Sequence, residues 1–172
     1  MKTKKIVRCA LIAALYAAIS LALSPITYGP MQARVSEALT LLPIFTPDAV
    51  IGVTLGCFLT NLVGVFTGAN ILGVLDILFG TAATCIAALA TRKFAQIRIA
   101  GLPLVAALPP VLLNALVVGA DLTWLLGPHT WTMFLVQAAW VALGQILSCY
   151  VLGIPLVKLI EKTPALKRWF TE

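Results

Sequence analysis

The feature that most constrains this chain is a succession of long apolar runs broken only by short turns. The stretch 49–66 has no charged side chain, 6–24 has only Arg8, 71–91 only Asp76, and 131–160 only Lys158. A run of about 20 such residues spans the hydrocarbon core of a bilayer as a helix. With 61% hydrophobic and 10% charged residues, the chain departs far from soluble domains, where the charged share is about a quarter. It reads as an all-α, polytopic membrane protein, and 172 residues allow roughly six spans in one bundle covering 1–172. No separate aqueous domain is expected.

In chain order, the first span is expected over about Ile6–Ser24, with Ala10, Ala14 and Ala18 forming a small-residue stripe beside Ala13 and Ala17. Such a stripe lets a second helix approach backbone to backbone, either within the bundle or on a separate membrane subunit. Met1 to Arg8 and the apolar run after it also imitate a secretory signal peptide, but a run of about 18 residues favours a retained span. A loop with Pro25, Gly29 and Pro30 leads to a short second span, Ala33–Phe45, ended by Pro43 and Pro47.

The third span, Ala49–Phe66, repeats Gly52, Gly56, Thr60 and Gly64 every fourth residue and should pack closely. After the turn Thr67–Asn70, a fourth span is expected over Ile71–Thr91. A fifth, running to Val118, is interrupted and bent by Pro103, Pro109 and Pro110. The loop Gly119–Thr130 precedes a last stretch, Trp131–Ile160, long enough to tilt or to break near Gly153-Ile154-Pro155. Six spans from a cytoplasmic N-terminus put Lys2, Lys4, Lys5, Arg8, the Arg92-Lys93-Arg98 loop and Lys158 to Arg168 all in the cytoplasm, leaving Arg34 outside. Both termini are then cytoplasmic.

The net charge of +6 is accounted for by this sorting and does not indicate nucleic-acid binding. Cys9, Cys57, Cys85 and Cys149 are isolated in apolar surroundings and suggest neither zinc nor a disulfide framework. There is no G-x-x-x-x-G-K-[ST], H-E-x-x-H or G-x-S-x-G motif, and one histidine. The chain therefore lacks a P-loop, and no metal, cofactor or enzymatic role is expected.

The polar residues that remain concentrate at one mouth of the bundle, beginning with the block from Met31 to Pro43. On a helix Arg34 and Glu37 share a face, and lipid penalises both charges, so a small-molecule site is expected there. Its candidate residues are Gln32, Arg34, Glu37, Asn70, Asp76, Trp124, Trp131 and Gln137, with His129 nearby. Carboxylates accept paired N–H donors, amides read an edge and indoles stack, which suits a flat, nitrogen-rich ring. Duller roles stand beside these. Arg34 could pair with Glu37 or with Asp76, the tryptophans could anchor at the lipid interface, His129 could be a solvated loop residue, and Asn61, Asn114 and Gln145 could be helix–helix hydrogen bonders.

The block Gln32-Ala33-Arg34-Val35-Ser36-Glu37-Ala38-Leu39-Thr40-Leu41-Leu42-Pro43, the alanine stripe and the six-span layout resemble the QueT family over nearly the whole chain. Those proteins are substrate-binding S components of energy-coupling factor (ECF) transporters for queuosine precursors. The resemblance implies a cell-membrane protein that captures a 7-deazaguanine-type ligand from outside. It implies as partners a transmembrane T component, docked on Ala10, Ala14 and Ala18, and two ABC ATPases. A self-sufficient secondary transporter using Asp76 as a proton-coupled carboxylate, or an accessory membrane subunit, are the other readings.

Overall fold

The computed structural model describes residues 2–29 and 32–171, which are helical apart from turns and a single bridge between Ile99 and Leu102. Pro30 and Met31, which the sequence places in the first loop and at the head of the polar block, lie outside the described residues. Helix α1 (Lys2–Ala22) is followed by the single turn α2 (Ser24–Thr27), a 3₁₀ helix (Val35–Ile44) and α3 (Asp48–Phe66). A π-wound turn (Asp76–Gly80) runs straight into α4 (Thr81–Lys93), and then come α5 (Leu108–Leu126) and α6 (Trp131–Ile146). A second π-wound turn (Leu147–Gly153), α7 (Ile154–Lys162) and α8 (Pro164–Thr171) complete the chain.

Four helical stretches are long and apolar enough to cross a membrane: Thr3–Ala22, Asp48–Phe66, Leu108–Leu126 and Trp131–Lys162. The other two expected crossings have a different character. One is the helical run 74–93, which passes into the π turn within its first residues. The other is the 3₁₀ helix, whose ten residues reach about 20 Å at about 2.0 Å per residue, where α winding would reach only ~15 Å. That still falls short of a ~30 Å core. The segment is lodged inside the bundle, with every residue from Ser36 to Pro43 buried and α1, α3, α4 and α7 packed round it.

Helix boundaries follow local chemistry, with three departures from what the sequence suggests. Pro109 and Pro110 do not bend a helix; they occupy the first turn of α5, where a missing N–H costs nothing and the fixed φ suits the start. Helix α5 also continues beyond Val118 to Leu126, because Leu122 is buried and no breaker appears before Gly127-Pro128. The last stretch neither ends nor breaks at Pro155. The π-wound turn ahead of it loosens the helix enough to take the proline in the first turn of α7, so 32 residues run on continuously.

Close helix contact comes from the glycine repeat of α3. A β-carbon on Gly52 would stand 2.7 Å from Ile12 Cβ, and one on Gly56 2.6 Å from Tyr16 Cβ, so α1 and α3 touch almost backbone to backbone. Ala13 shares this buried side of α1, whereas Ala10, Ala14 and Ala18 face out of the bundle with Leu11 and Leu15. Large apolar side chains such as Leu55, Leu78, Leu116, Leu135 and Leu147 are exposed around the outside, while Arg34, Glu37, Asn61 and Asp76 are buried. Polar inside and apolar outside is the arrangement a lipid solvent selects.

One end of the bundle gathers the basic residues. Arg8 bonds Asp48 and Thr46, each at 3.2 Å, and Arg92 bonds the Pro43 carbonyl at 3.3 Å. Arg98 and Lys158 both pair with Glu161, at 2.9 and 3.1 Å.

Candidate functional site

A buried polar cluster lies where α1, the 3₁₀ helix, α3 and the π turn meet. Asp76 is at its centre, fully buried, and its Oδ2 accepts from Arg34 Nη2 in an ion pair and from Asn70 Nδ2 at 2.9 Å. The π winding supports this placement. Asn61 on α3 donates to the Asp76 backbone carbonyl at 2.7 Å, and Asp76 Oδ1 occupies the space where a β-carbon on Gly80 would stand. Only glycine at position 80 lets the carboxylate turn back over its own helix.

Arg34 is held from three other sides. Nη2 also donates to Gln32 Oε1 at 3.3 Å, Nη1 to Cys57 Sγ at 3.7 Å, and the guanidinium lies 5.9 Å from the centre of the Tyr28 ring. Tyr28 in turn donates its hydroxyl to the Thr60 carbonyl at 2.6 Å. Gln32 takes a positive φ of 46°, a left-handed conformation that a residue with a side chain adopts only under constraint. The turn is closed by its N–H bonding the Gly29 carbonyl and its own carbonyl accepting from Arg34 N, both at 2.9 Å.

Glu37 does not pair with Arg34. Its Oε1 accepts the Tyr16 hydroxyl of α1 and the Thr84 hydroxyl of α4 at 3.5 Å, and its Oε2 accepts Asn114 Nδ2 of α5 at 3.5 Å. Thr84 also touches Cys57 Sγ at 3.3 Å, so the two carboxylates belong to one connected network through Thr84, Cys57 and Arg34. Of the roles open in the sequence, the Arg34–Asp76 pair is thus the one realised. Asn61 and Asn114 act as helix–helix hydrogen bonders, and Gln145 bonds Cys149 one turn along at 3.9 Å.

Among the described residues, four polar atoms of this cluster are buried without a partner: Gln32 Nε2 and Arg34 Nε, both donors, and Asn61 Oδ1 and Asp76 Oδ1, both acceptors. Each such atom costs about 1–3 kcal/mol if nothing answers it. Two free donors and two free acceptors can bind a polar molecule that offers both kinds of group. The described residues hold no cluster of metal ligands.

The cluster thus brings together Gln32, Arg34, Glu37, Asn70 and Asp76. It leaves apart three residues that the sequence groups with them. Trp124 and Trp131 are exposed and border a surface hollow of about 220 Å³ beside Thr123, His129 and Phe134, with the Trp124 and His129 rings stacked 4.9 Å apart. Gln137 is buried on α6 and makes no hydrogen bond among the described residues. Tyr16, Thr84, Cys57 and Tyr28 also belong to the cluster, although their positions in the sequence do not single them out as site residues. For Tyr16 and Tyr28 a signal exists, since a buried tyrosine needs a partner for its hydroxyl.

A family model described as QueT transporter matches residues 6–162. A curated relative, "Queuosine precursor transporter QueT" of Lactococcus lactis subsp. cremoris (strain MG1363), is 41% identical over 73 residues. That alignment covers 41% of this chain and 43% of the relative, so the chain matches less than half of that protein's length. No solved structure matches. With apolar helices outside, a polar core within and a family match over nearly all of its length, the chain belongs to the QueT transporter family.

Proposed function

We propose that the chain is the membrane-embedded substrate-binding S component of an ECF-type transporter, taking a 7-deazaguanine-type queuosine precursor from outside the cell. Membership in a transporter family argues for carriage of a solute rather than its chemical conversion. The observation that carries the ligand reading is the set of two unpartnered donors and two unpartnered acceptors in one buried cluster. A deazaguanine offers a matching set: an N–H and an amino group side by side for Asp76 or Glu37, and a carbonyl oxygen for Gln32 or Arg34. Asn70 extends the reading of the edge; Gln137, Trp124 and Trp131, which stand apart from the cluster, would contact a ligand only on its approach.

In this reading both termini and the basic end of the bundle face the cytoplasm of the cell membrane, and six segments carry the chain across it, the 3₁₀ one inside the bundle and completing its crossing only with the connections on either side. The outward-facing stripe Ala10, Ala14 and Ala18 docks on a transmembrane T component. Two ABC ATPases supply the energy, in keeping with the missing P-loop in this chain.

Isothermal titration of the purified protein with a 7-deazaguanine tests the site. Glu37→Gln or Asp76→Asn should weaken binding by about 1.5–3 kcal/mol, roughly ten- to a hundred-fold, and unchanged affinity in both variants sinks the assignment. Purification through a tag tests the assembly, since a T component and two ATPases should come along. Uptake into liposomes by this chain alone would favour the secondary-transporter reading instead.

A further inference from the structure

At the basic end of the bundle a hollow of about 470 Å³ opens between the start of α1 and α8, bordered by Lys4, Val7, Arg8, Ala165, Arg168 and Trp169. Helix α8 is fixed there: Phe170 is buried with its ring 5.8 Å from that of Phe45, and the Trp169 ring lies 5.5 Å from the Arg8 guanidinium carbon. Arg8 is 8% exposed, and although its Nη1 is engaged by Asp48 and Thr46, its Nε is buried without a partner among the described residues. Lys4 and Arg168 have no acidic partner among the described residues. Asp48, the one acid in contact with Arg8, is already shared with Lys5 at 3.6 Å.

We propose that this hollow binds the phosphate of an anionic phospholipid headgroup. Three cationic side chains border it, one of them buried with an unanswered N–H, and among the described residues one carboxylate, already shared with Lys5, faces them, which favours an anion there. Val7, Ala165 and the Trp169 ring make most of the remaining wall apolar, with Thr3 beside them, and Val7 joins it to the outer side of α1, where Ile6 and Leu11 are exposed, which gives the acyl chains a path out of the same opening. A tryptophan at the rim belongs at the headgroup level. Free phosphate would answer the charge but leave that apolar wall unused, and this favours the lipid. The assignment is independent of what the central cluster carries.

The test uses the full chain, purified in neutral detergent and stripped of lipid, with thermal stability and native mass spectrometry as readouts. Phosphatidylglycerol should raise the melting temperature and remain bound as an adduct, whereas phosphatidylcholine and millimolar inorganic phosphate should do neither. The double variant Lys4→Gln/Arg168→Gln should bind phosphatidylglycerol about thirty-fold more weakly, two basic contacts at ~1 kcal/mol each. Lys93→Gln/Lys162→Gln removes the same charge outside the hollow and should change affinity less than about three-fold. Equal weakening in the two double variants, equal stabilisation by phosphatidylcholine, or competition by inorganic phosphate would each overturn the lipid site.

Discussion

Asp76→Asn tests the centre of the structure most directly. The substitution conserves shape, and the amide oxygen can still accept from Arg34 Nη2 and Asn70 Nδ2 at the position of Oδ2. What is lost is the counter-charge. The Arg34 and Asp76 side chains are 2% and 0% exposed, and the next carboxylate, Glu37, reaches Arg34 only by way of Thr84 and Cys57. Removing one member of a buried ion pair leaves an uncompensated charge worth about 3–5 kcal/mol, against a total stability of about 5–15 kcal/mol. For a chain of this size that corresponds to a melting temperature roughly 6–20 °C lower. Arg34→Gln should cost a similar amount. The double variant should lose less than the sum of the two by about 1–3 kcal/mol, because neither orphaned charge remains. The assay is thermal unfolding in one detergent for all four proteins. Strict additivity, or a single variant melting within about 2 °C of the wild type, would refute the claim that this pair holds the cluster together.

Three further outcomes follow from neighbouring contacts. Gly80→Ala puts a methyl group where Asp76 Oδ1 sits and should lower stability by about 1–3 kcal/mol while weakening ligand binding at least as much as Asp76→Asn does; unaltered binding would mean that Asp76 need not turn back over the π turn. Tyr16→Phe removes a hydroxyl donor from Glu37 and should cost about 1–3 kcal/mol in the same melting assay, with the phenyl ring left behind still filling most of the volume. Burial pushes the Tyr28 phenol, in the connection before the 3₁₀ helix, up to about 12. The unfolded phenol ionises near ~10, so the stability this group contributes is complete at neutral pH and lost as pH rises from about 10 to 12. Melting temperatures measured up to pH ~11 should therefore fall more steeply for the wild type than for Tyr28→Phe.

Much of the fold is legible in the order of residues, and what is not has physical reasons. The third span is found almost to the residue, because Pro47-Asp48 starts it and Thr67-Gly68 stops it. Its glycines also announce the close contact with α1. Arg34, Glu37 and Asp76 stand out because charge in an apolar run is costly. Their partners do not, since Tyr16, Thr84 and Asn114 reach Glu37 from three helices whose relative rotation no local pattern encodes. The Pro109-Pro110 pair is open to misreading because a proline inside a helix and one at its first turn look alike until the boundary is known. The two π-wound turns leave no local mark for a related reason: each accommodates a neighbour, a folded-back carboxylate in one case and Pro155 in the other.

The buried 3₁₀ helix has a mechanical consequence. Rewinding its ten residues as an α-helix would shorten it by about 5 Å and spin Glu37 away from the three side chains that hold it. Its leading end is tethered through Arg34 to Asp76 on another element, so a change of winding there would have to break or carry that ion pair. A molecule that drew Asp76 away from Arg34 would untie the head of the irregular element that all four neighbouring helices enclose.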